Sequence, residues 1–535
     1  MAYVDKIISL HKSGRATEHS YRPALKEYLE TLIPNITATN EPKRQKCGAP
    51  DYIITHDARG NSIPIGFIEA KDIGVDLDKV EKDEQLVRYK ESLDNLILTD
   101  YLDFRFFKEG EKVAEVKIAS LEHGKIVPLP ANIKSLETLL ADFAAFEGQT
   151  ITSAKNLAVM MARKAKLMQE VFCKAVMQEE EHAGLKEQLE AFRRILLHDM
   201  KAPDFADVYA QTITYGLFTA RLHEATASKF SRMEALNLIP MSNPFLRKLF
   251  QYVAVELDDS VAWIVDALCE VLRATDIHDI MNDFGRQAGR NDPIVHFYET
   301  FLAEYNPKLR KSRGVFYTPE PVVNFIIRAV DDCLKTYFSL PTGLADTSKV
   351  KIKVEAQAFD KRTKSGKALE EKEVHKVQLL DVAAGTGTFI AEVVKQIYNG
   401  HFEHQQGMWS NYVEEHLLPR LHGFEILMAS YAMCHMKIEL LLRETGYRPN
   451  DPKKPPRLGV YLTNSLEEAH PDAQTLFASW LSAEANEANL IKKETPVMVA
   501  FGNPPYSISS QNKGAWIQSL IVDYKKDLNE TKNQS

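Results

Sequence analysis

Three places in the sequence combine residue types and spacings that could do chemistry. In "LLDVAAGTGTFIAEVVKQI" (379–397), Gly385 and Gly387 lie between an apolar run and a helical pattern. Glycines there let the backbone turn sharply and let a ligand come close. Asp381 ends the apolar run, and about 40 residues on Glu425 ends another, in "HGFEI". An acid at the end of such a strand can accept hydrogen bonds from ribose hydroxyls. Near the far end, Val497 to Phe501 runs into Gly502 and then Asn503-Pro504-Pro505-Tyr506: an amide, two rigid rings and a phenol. Two prolines end any helix, because each lacks an N–H and fixes φ. At the front, Asp51 opens one apolar segment, and Glu69 and Lys71 stand two apart in the next. Two apart in a strand means one face.

The elements needed to hold these residues are legible as three blocks. Residues 1–30 read as helical, 50–71 as a hairpin turning at "DARGNS", and 79–94 as a helix. Strands follow at 96–99, 103–107 and 113–118, which makes a compact α/β unit over 1–130. From 131 to 305 the period becomes helical, as in "LAVMMARKAKLMQEVFCKAVM" and "LKEQLEAFRRILLHDM", and this block reads as a connector. A second α/β unit occupies 306–535, with strands at 376–384, 420–426, 457–466 and 495–503 and helices between them. Strands alternating with helices imply a parallel, doubly wound sheet that binds ligands at the carboxyl ends of its strands. The glycine turn is no phosphate loop, since GxxxxGK[ST] occurs nowhere and "KSGKAL" (364–369) is a partial echo. A nucleotide-driven motor domain is therefore not expected.

The order of features in the second unit resembles the adenine-N6 DNA methyltransferases that use S-adenosylmethionine. A glycine loop follows strand one, an acid strand two, Thr463-Asn464-Ser465 strand three, and Asn-Pro-Pro-Tyr strand four. Upstream, "RGVFYTPEPVVNFI" (313–326) resembles the segment that wraps the methionine end of the cofactor in one subfamily. The match covers 306–510 and departs at Ala384, where the family often has cysteine; only small size matters there. The resemblance implies a Rossmann-like domain whose cofactor residues are Phe316, Tyr317, Thr318, Pro319, Asp381, Ala383, Gly385, Gly387, Thr388, Glu425, Asn464 and Ser465. It also assigns the acceptors for the adenine amino group to the Asn503 side-chain oxygen and the Pro504 carbonyl. Pro505 helps to stiffen the turn. Tyr506 offers a stacking face to a base rotated out of the duplex. Outside that resemblance, the tetrapeptide alone is also what a strand-ending proline turn looks like.

"GAPDYIITHDARGNSIPIGFIEAKD" (48–72) resembles the PD-(D/E)xK nucleases, with Asp51, Glu69 and Lys71 as the signature. By that resemblance Asp51 and Glu69 hold Mg²⁺ through hard oxygen ligands, Glu18 on the first helix adds a carboxylate, and Lys71 orients water or steadies the phosphate charge. Gln85 and Tyr89, four apart in "QLVRY", match the QxxxY pair of one branch of that family. A charged surface hairpin gives the same letters as the bare signature. Together the blocks resemble the front of a type IIG restriction–modification enzyme, or a type ISP enzyme without its motor. The implied substrate is double-stranded DNA. Only 29 residues follow Tyr506, too few for a fifth strand and a target-recognition domain, so the resemblance is to a C-terminally truncated enzyme. Three readings stay open: a bifunctional restriction–modification enzyme; a fragment that binds cofactor or DNA and needs a second polypeptide; and a methyltransferase whose front domain only binds DNA.

Composition sets the outer bounds. A chain of 535 residues, 44% hydrophobic and 26% charged, is expected to form two to four globular domains. No apolar run reaches the ~18 residues that span a bilayer, and the start is too polar for a signal peptide, so a cytoplasmic protein is expected. The net charge of −8 does not favour nucleic acid, but an acidic enzyme can keep a basic groove. Basic stretches stand at 41–46, 308–314 and 450–457. The five cysteines, Cys47, Cys173, Cys269, Cys333 and Cys434, are scattered and read as reduced thiols. Among lesser candidates, His401 and His404 stand three apart on a helical stretch, too few for a metal site, Cys434 and His435 read as packing residues, and Arg221 as a helix-packing salt bridge or a phosphate contact.

Overall fold

A computed structural model describes residues 1–13, 16–40, 49–58, 61–145, 153–177, 183–222, 230–273, 275, 277, 280–281, 293–305, 318–359, 367–466, 476–504, 519 and 521–522. The fold is mixed α/β with several sheets. The chain divides into two compact units. The first comprises Met1–His182, Arg221–Ala235 and Val253–Tyr305; the second comprises Ala183–Ala220, Leu236–Tyr252 and Asn306–Ser535. The helical stretch expected as a connector is thus shared between them. No described helix is long and apolar enough to cross a membrane.

In the first unit, six described strands form a mixed sheet in the order β1 to β6: β1 Ile36–Thr39, β2 Tyr52–Ala58, β3 Asn61–Ala70, β4 Asn95–Thr99, β5 Asp103–Lys108 and β6 Glu111–Lys117. Only β3 and β4 run parallel; the other neighbours are antiparallel. Two further strands, β7 Ala119–Glu122 and β8 Lys125–Pro128, pair separately. The expected hairpin is β2–β3. Its register slips between Ile54 and Thr55, opposite Gly66 and Pro64. A bulge is where a sheet tolerates proline. Gly66 has a packing reason as well: a Cβ there would lie 2.2 Å from the Phe143 ring.

The stretch 1–30 is two helices, Ala2–Lys12 and Glu18–Leu32. Thr17 and Ser20 close a capping box at the second start, which satisfies N–H groups a helix otherwise leaves bare. The helix expected over 79–94 is likewise two, Leu77–Val80 and Glu84–Ser92, preceded by Asp76 and Asp83. Acids before helix starts favour such breaks.

In the second unit, β9 Lys349–Phe359 and β10 Lys367–His375 form an antiparallel hairpin. β11 Leu379–Asp381, β12 Leu421–Glu425, β13 Gly459–Leu462 and β14 Val499–Phe501 form a parallel sheet in the order β13-β12-β11-β14. All four lie within the stretches read as strands. The order reverses between β11 and β14, so the carboxyl ends of these neighbours flank a switch point. A buried network braces the sheet from behind. Arg457 Nη2 donates to both carboxylate oxygens of Glu484 at 2.6 Å, and the Tyr431 hydroxyl donates to Glu484 Oε2 at 3.1 Å. Asn243 Nδ2 donates to the Tyr431 hydroxyl at 3.0 Å.

Candidate active sites

The turn after β11 is built from glycine's freedom at two positions. Gly385 has φ +55 and Gly387 φ +78, and the helix Thr388–Ile397 starts directly after. A Cβ on Gly387 would lie 2.6 Å from Cys434 Sγ. Cys434 and His435 are packing residues as expected; His435 Nε2 lies 3.1 Å from the Val460 carbonyl. Ala384 is buried, its methyl 3.2 Å from where a Cβ on Gly423 would stand. A small residue is what this contact allows.

Glu425 reaches into the turn from the end of β12. Its Oε2 accepts from Gly385 N at 2.7 Å, and its Oε1 from Ile426 N and Leu427 N at 2.9 and 2.7 Å. A carboxylate has about four acceptor sites, so three bonds fix the group and leave capacity for a hydroxyl. Asp381 is fully buried. Its Oδ1 accepts from Ala383 N at 3.1 Å, while Oδ2 has no hydrogen-bond partner. Burial pushes its carboxyl up to about 7; the Ala383 N–H works against this and nearby Glu425 adds to it. Asn464 Oδ1 accepts from Leu466 N at 3.1 Å, and Ser465 Oγ donates to the Val382 carbonyl at 2.6 Å. Lys492, which no local pattern singles out, donates to Thr463 Oγ1 at 2.9 Å and to the Asn464 carbonyl at 2.7 Å. These residues offer acids for ribose hydroxyls and a small-residue turn. An orphaned buried carboxylate oxygen sits beside them. That donor set fits a nucleoside-bearing sulfonium cofactor.

Asn503 follows β14 beside this turn. Gly502 has φ +141, and a Cβ on it would lie 2.7 Å from Asp381 Oδ1. Glycine therefore lets β14 end against β11. Val382 N donates to the Phe501 carbonyl at 3.2 Å. Asn503 Nδ2 donates to Thr318 Oγ1 at 3.0 Å. Pro319 stands at the N-cap of the helix Glu320–Tyr337. The structure thus brings Thr318, Asp381, the glycine turn, Ser465 and Asn503 to one end of the sheet. Phe316, Tyr317, Pro505 and Tyr506 lie outside the described residues.

In the first unit, the register Tyr52↔Ile68, continued one step, sets Asp51 beside Glu69. Lys71 Nζ donates to Glu69 Oε1 at 2.6 Å, so these two share a face as their spacing requires. Gln85 Nε2 donates to Glu69 Oε1 at 3.4 Å and to the Tyr89 hydroxyl at 2.9 Å. The five signature positions converge. Glu18 opens the second helix, not the first, and pairs with Arg22. Arg22 was not singled out by the sequence; its only local trace is the four-residue spacing from Glu18. It is buried and donates to Asp51 Oδ1 at 2.6 Å, while Ala70 N donates to Asp51 Oδ2 at 2.7 Å. Burial raises the Asp51 carboxyl, and the Arg22 charge works against it. Burial, then Asp51, push Glu69 up to about 7 against the pull of Lys71. Glu69 Oε2 has no hydrogen-bond partner.

Among the described residues no three His, Cys, Asp or Glu side chains are grouped to hold a metal ion. Asp51 and Glu69, with that orphaned oxygen, are the pair whose hard donors fit Mg²⁺. Glu18 faces Arg22 rather than completing a trio. His401 and His404 form no such group either. Arg221 is buried, its guanidinium donating to the carbonyls of Leu272 and Thr275 at 3.2 and 3.3 Å, which is a packing role.

Residues 289–339 match the family model described as N-6 DNA methylase. No curated protein matches the chain. Among solved structures, it is similar to DrdV in a cryo-EM structure of a DrdV–DNA complex, with 20% identity and a TM-score of 0.45 over all of this chain and 46% of that one. It is similar to a nuclease-deletion mutant of the type ISP restriction–modification enzyme LlaGI in complex with a DNA substrate mimic, with 18% identity and a TM-score of 0.46 over 75% of this chain and 29% of that one. The ATP-dependent type ISP enzyme LlaBIII bound to DNA gives 18% and 0.46 over 77% and 25%. The chain spans less than half the length of each of these proteins.

Proposed function

We propose that this chain methylates the N6 amino group of adenine in double-stranded DNA and also cleaves DNA, as part of a restriction–modification enzyme. The second unit is then a doubly wound, Rossmann-like methyltransferase domain and the first a PD-(D/E)xK nuclease domain. The observation that carries the reading is that the glycine turn and Asn503 follow neighbouring parallel strands, β11 and β14, at the switch point of the sheet. The N-6 DNA methylase match at 289–339 supports it.

An adenine amino group is a poor nucleophile, because its lone pair is delocalised into the ring. Asn503 Oδ1 and the Pro504 carbonyl accept its two N–H bonds and favour a pyramidal nitrogen. Their turn is pre-set by Gly502 and Pro504, so little reorganisation remains for the transition state. Glu425, oriented by the Gly385 N–H, would hold the nucleoside end of the cofactor, with the small-residue turn leaving it room. Bound S-adenosylmethionine would supply an electrophilic methyl group to N6, which would give up one proton to solvent. In the first unit, Asp51 and Glu69 would hold Mg²⁺ while Lys71 steadies phosphate charge; Mg²⁺ would supply Lewis acidity.

Transfer of labelled methyl from S-adenosylmethionine to unmethylated mixed-sequence DNA tests the first activity. Asn503→Ala is expected to lower it about 10²-fold. Incorporation that survives the substitution would refute the assignment. Cleavage that needs Mg²⁺ and is lost in Lys71→Ala is the expected result for the first unit. Cleavage unchanged by that substitution would refute the nuclease site.

A further inference from the structure

The bond between Thr318 and Asn503 joins residues 185 apart in sequence, and its direction has chemical content. A primary amide has an acceptor end and a donor end of nearly equal size, and its terminal torsion is broad and roughly two-fold. Toward an adenine amino group only the oxygen end is productive, since a nitrogen end would set N–H against N–H. In the structure the Asn503 nitrogen is the end that Thr318 engages, at 3.0 Å, so Oδ1 stays out of that bond.

Thr318 is well placed to hold a neighbour still. It stands two residues before the helix Glu320–Tyr337. That helix is pinned further along by Asp331, which accepts from Leu344 N at 2.8 Å and pairs with Lys335 at 2.6 Å. Asn503 is fixed from the other side by the Gly502 approach to Asp381.

We propose that Thr318 is a positioning residue for methyl transfer. Its hydroxyl anchors the Asn503 amide and, engaged with Nδ2 as in the structure, leaves Oδ1 open to the amino group to be methylated. This rests on the methyl-transfer reading and adds to it a role for the threonine other than cofactor contact. The test uses the full chain with Thr318→Val, Thr318→Ser and Asn503→Ala. Single-turnover methyl transfer is read beside S-adenosylmethionine affinity by calorimetry.

Thr318→Val is expected to lower the maximal rate about tenfold, the equivalent of about 1.4 kcal/mol, with cofactor affinity within about twofold. Thr318→Ser, which keeps the hydroxyl, should restore the rate to within about threefold. In the Asn503→Ala background the valine should cost nothing further. Wild-type rate in Thr318→Val, or lost cofactor affinity at unchanged rate, would overturn the inference alone. A wild-type chain that binds cofactor and DNA yet transfers no methyl would overturn the methyl-transfer reading too.

Discussion

Replacing Asp381 with asparagine should change how stability depends on pH, and the size of the change follows from its surroundings. The carboxyl is fully buried, Oδ2 has no hydrogen-bond partner, and burial holds it protonated up to about 7 against an ordinary 3.8. The folded chain therefore keeps a proton that the unfolded chain releases. Such a group lends stability that is fully present below about pH 4 and is lost as pH rises through about 7. Each unit is worth about 1.36 kcal/mol. Between pH 5 and pH 8 the wild type crosses about two of those units and loses about 3 kcal/mol through this residue. Asparagine does not ionise and loses nothing. Calorimetric melts at both pH values, wild type beside Asp381→Asn, isolate the term, since the packing cost of the amide is the same at each. At about 2–4 °C per kcal/mol for a unit of this size, the variant should gain about 6–12 °C relative to wild type between pH 5 and pH 8. Equal shifts for the two proteins would refute the reasoning.

Three further outcomes are expected. Gly502→Ala combines a positive φ with a Cβ 2.7 Å from Asp381 Oδ1; it should cost more than about 1 kcal/mol and depress methyl transfer more than cofactor binding. A wild-type melt would contradict this. Arg457→Met strands the buried Glu484 carboxylate and should cost about 3–5 kcal/mol in urea unfolding, whereas Arg457→Met with Glu484→Leu should recover much of it. Equal losses for single and double variants would count against the pairing. Gly66→Ala pushes a methyl into the Phe143 ring and should cost about 1–3 kcal/mol, eased by Phe143→Leu; additive losses would refute the contact.

Much of the architecture was legible because it repeats locally. The parallel strands fall inside stretches whose apolar runs end in small or polar residues, and the β2–β3 hairpin follows from a turn between two apolar segments. The breaks in the front helices were missed because their punctuation is subtle: Thr17 and Ser20 in one case, Asp76 and Asp83 in the other. The long hairpin β9–β10 was missed too, although "KVKIKVEAQAF" alternates charge and apolarity over its first residues. In the sites, Glu69 and Lys71 were readable from a spacing of two. Arg22 against Asp51 and Thr318 against Asn503 were not, because contacts 29 and 185 residues apart leave no local pattern.

The sheet order puts β14 at a rim, paired in register with β11 and, among the described residues, with no strand on its other flank. A three-residue strand held along one side breathes more easily than the central strand it borders. Amide exchange should be faster at Val499 to Phe501 than along β12. The segment that delivers Asn503 thus rests on one of the two rim strands of the sheet. Its steadiness comes from outside the ladder, from the glycine fitted against Asp381 and the threonine hydroxyl at the amide. A strand that lay along that rim would slow exchange there and stiffen the turn that carries Asn503 at once.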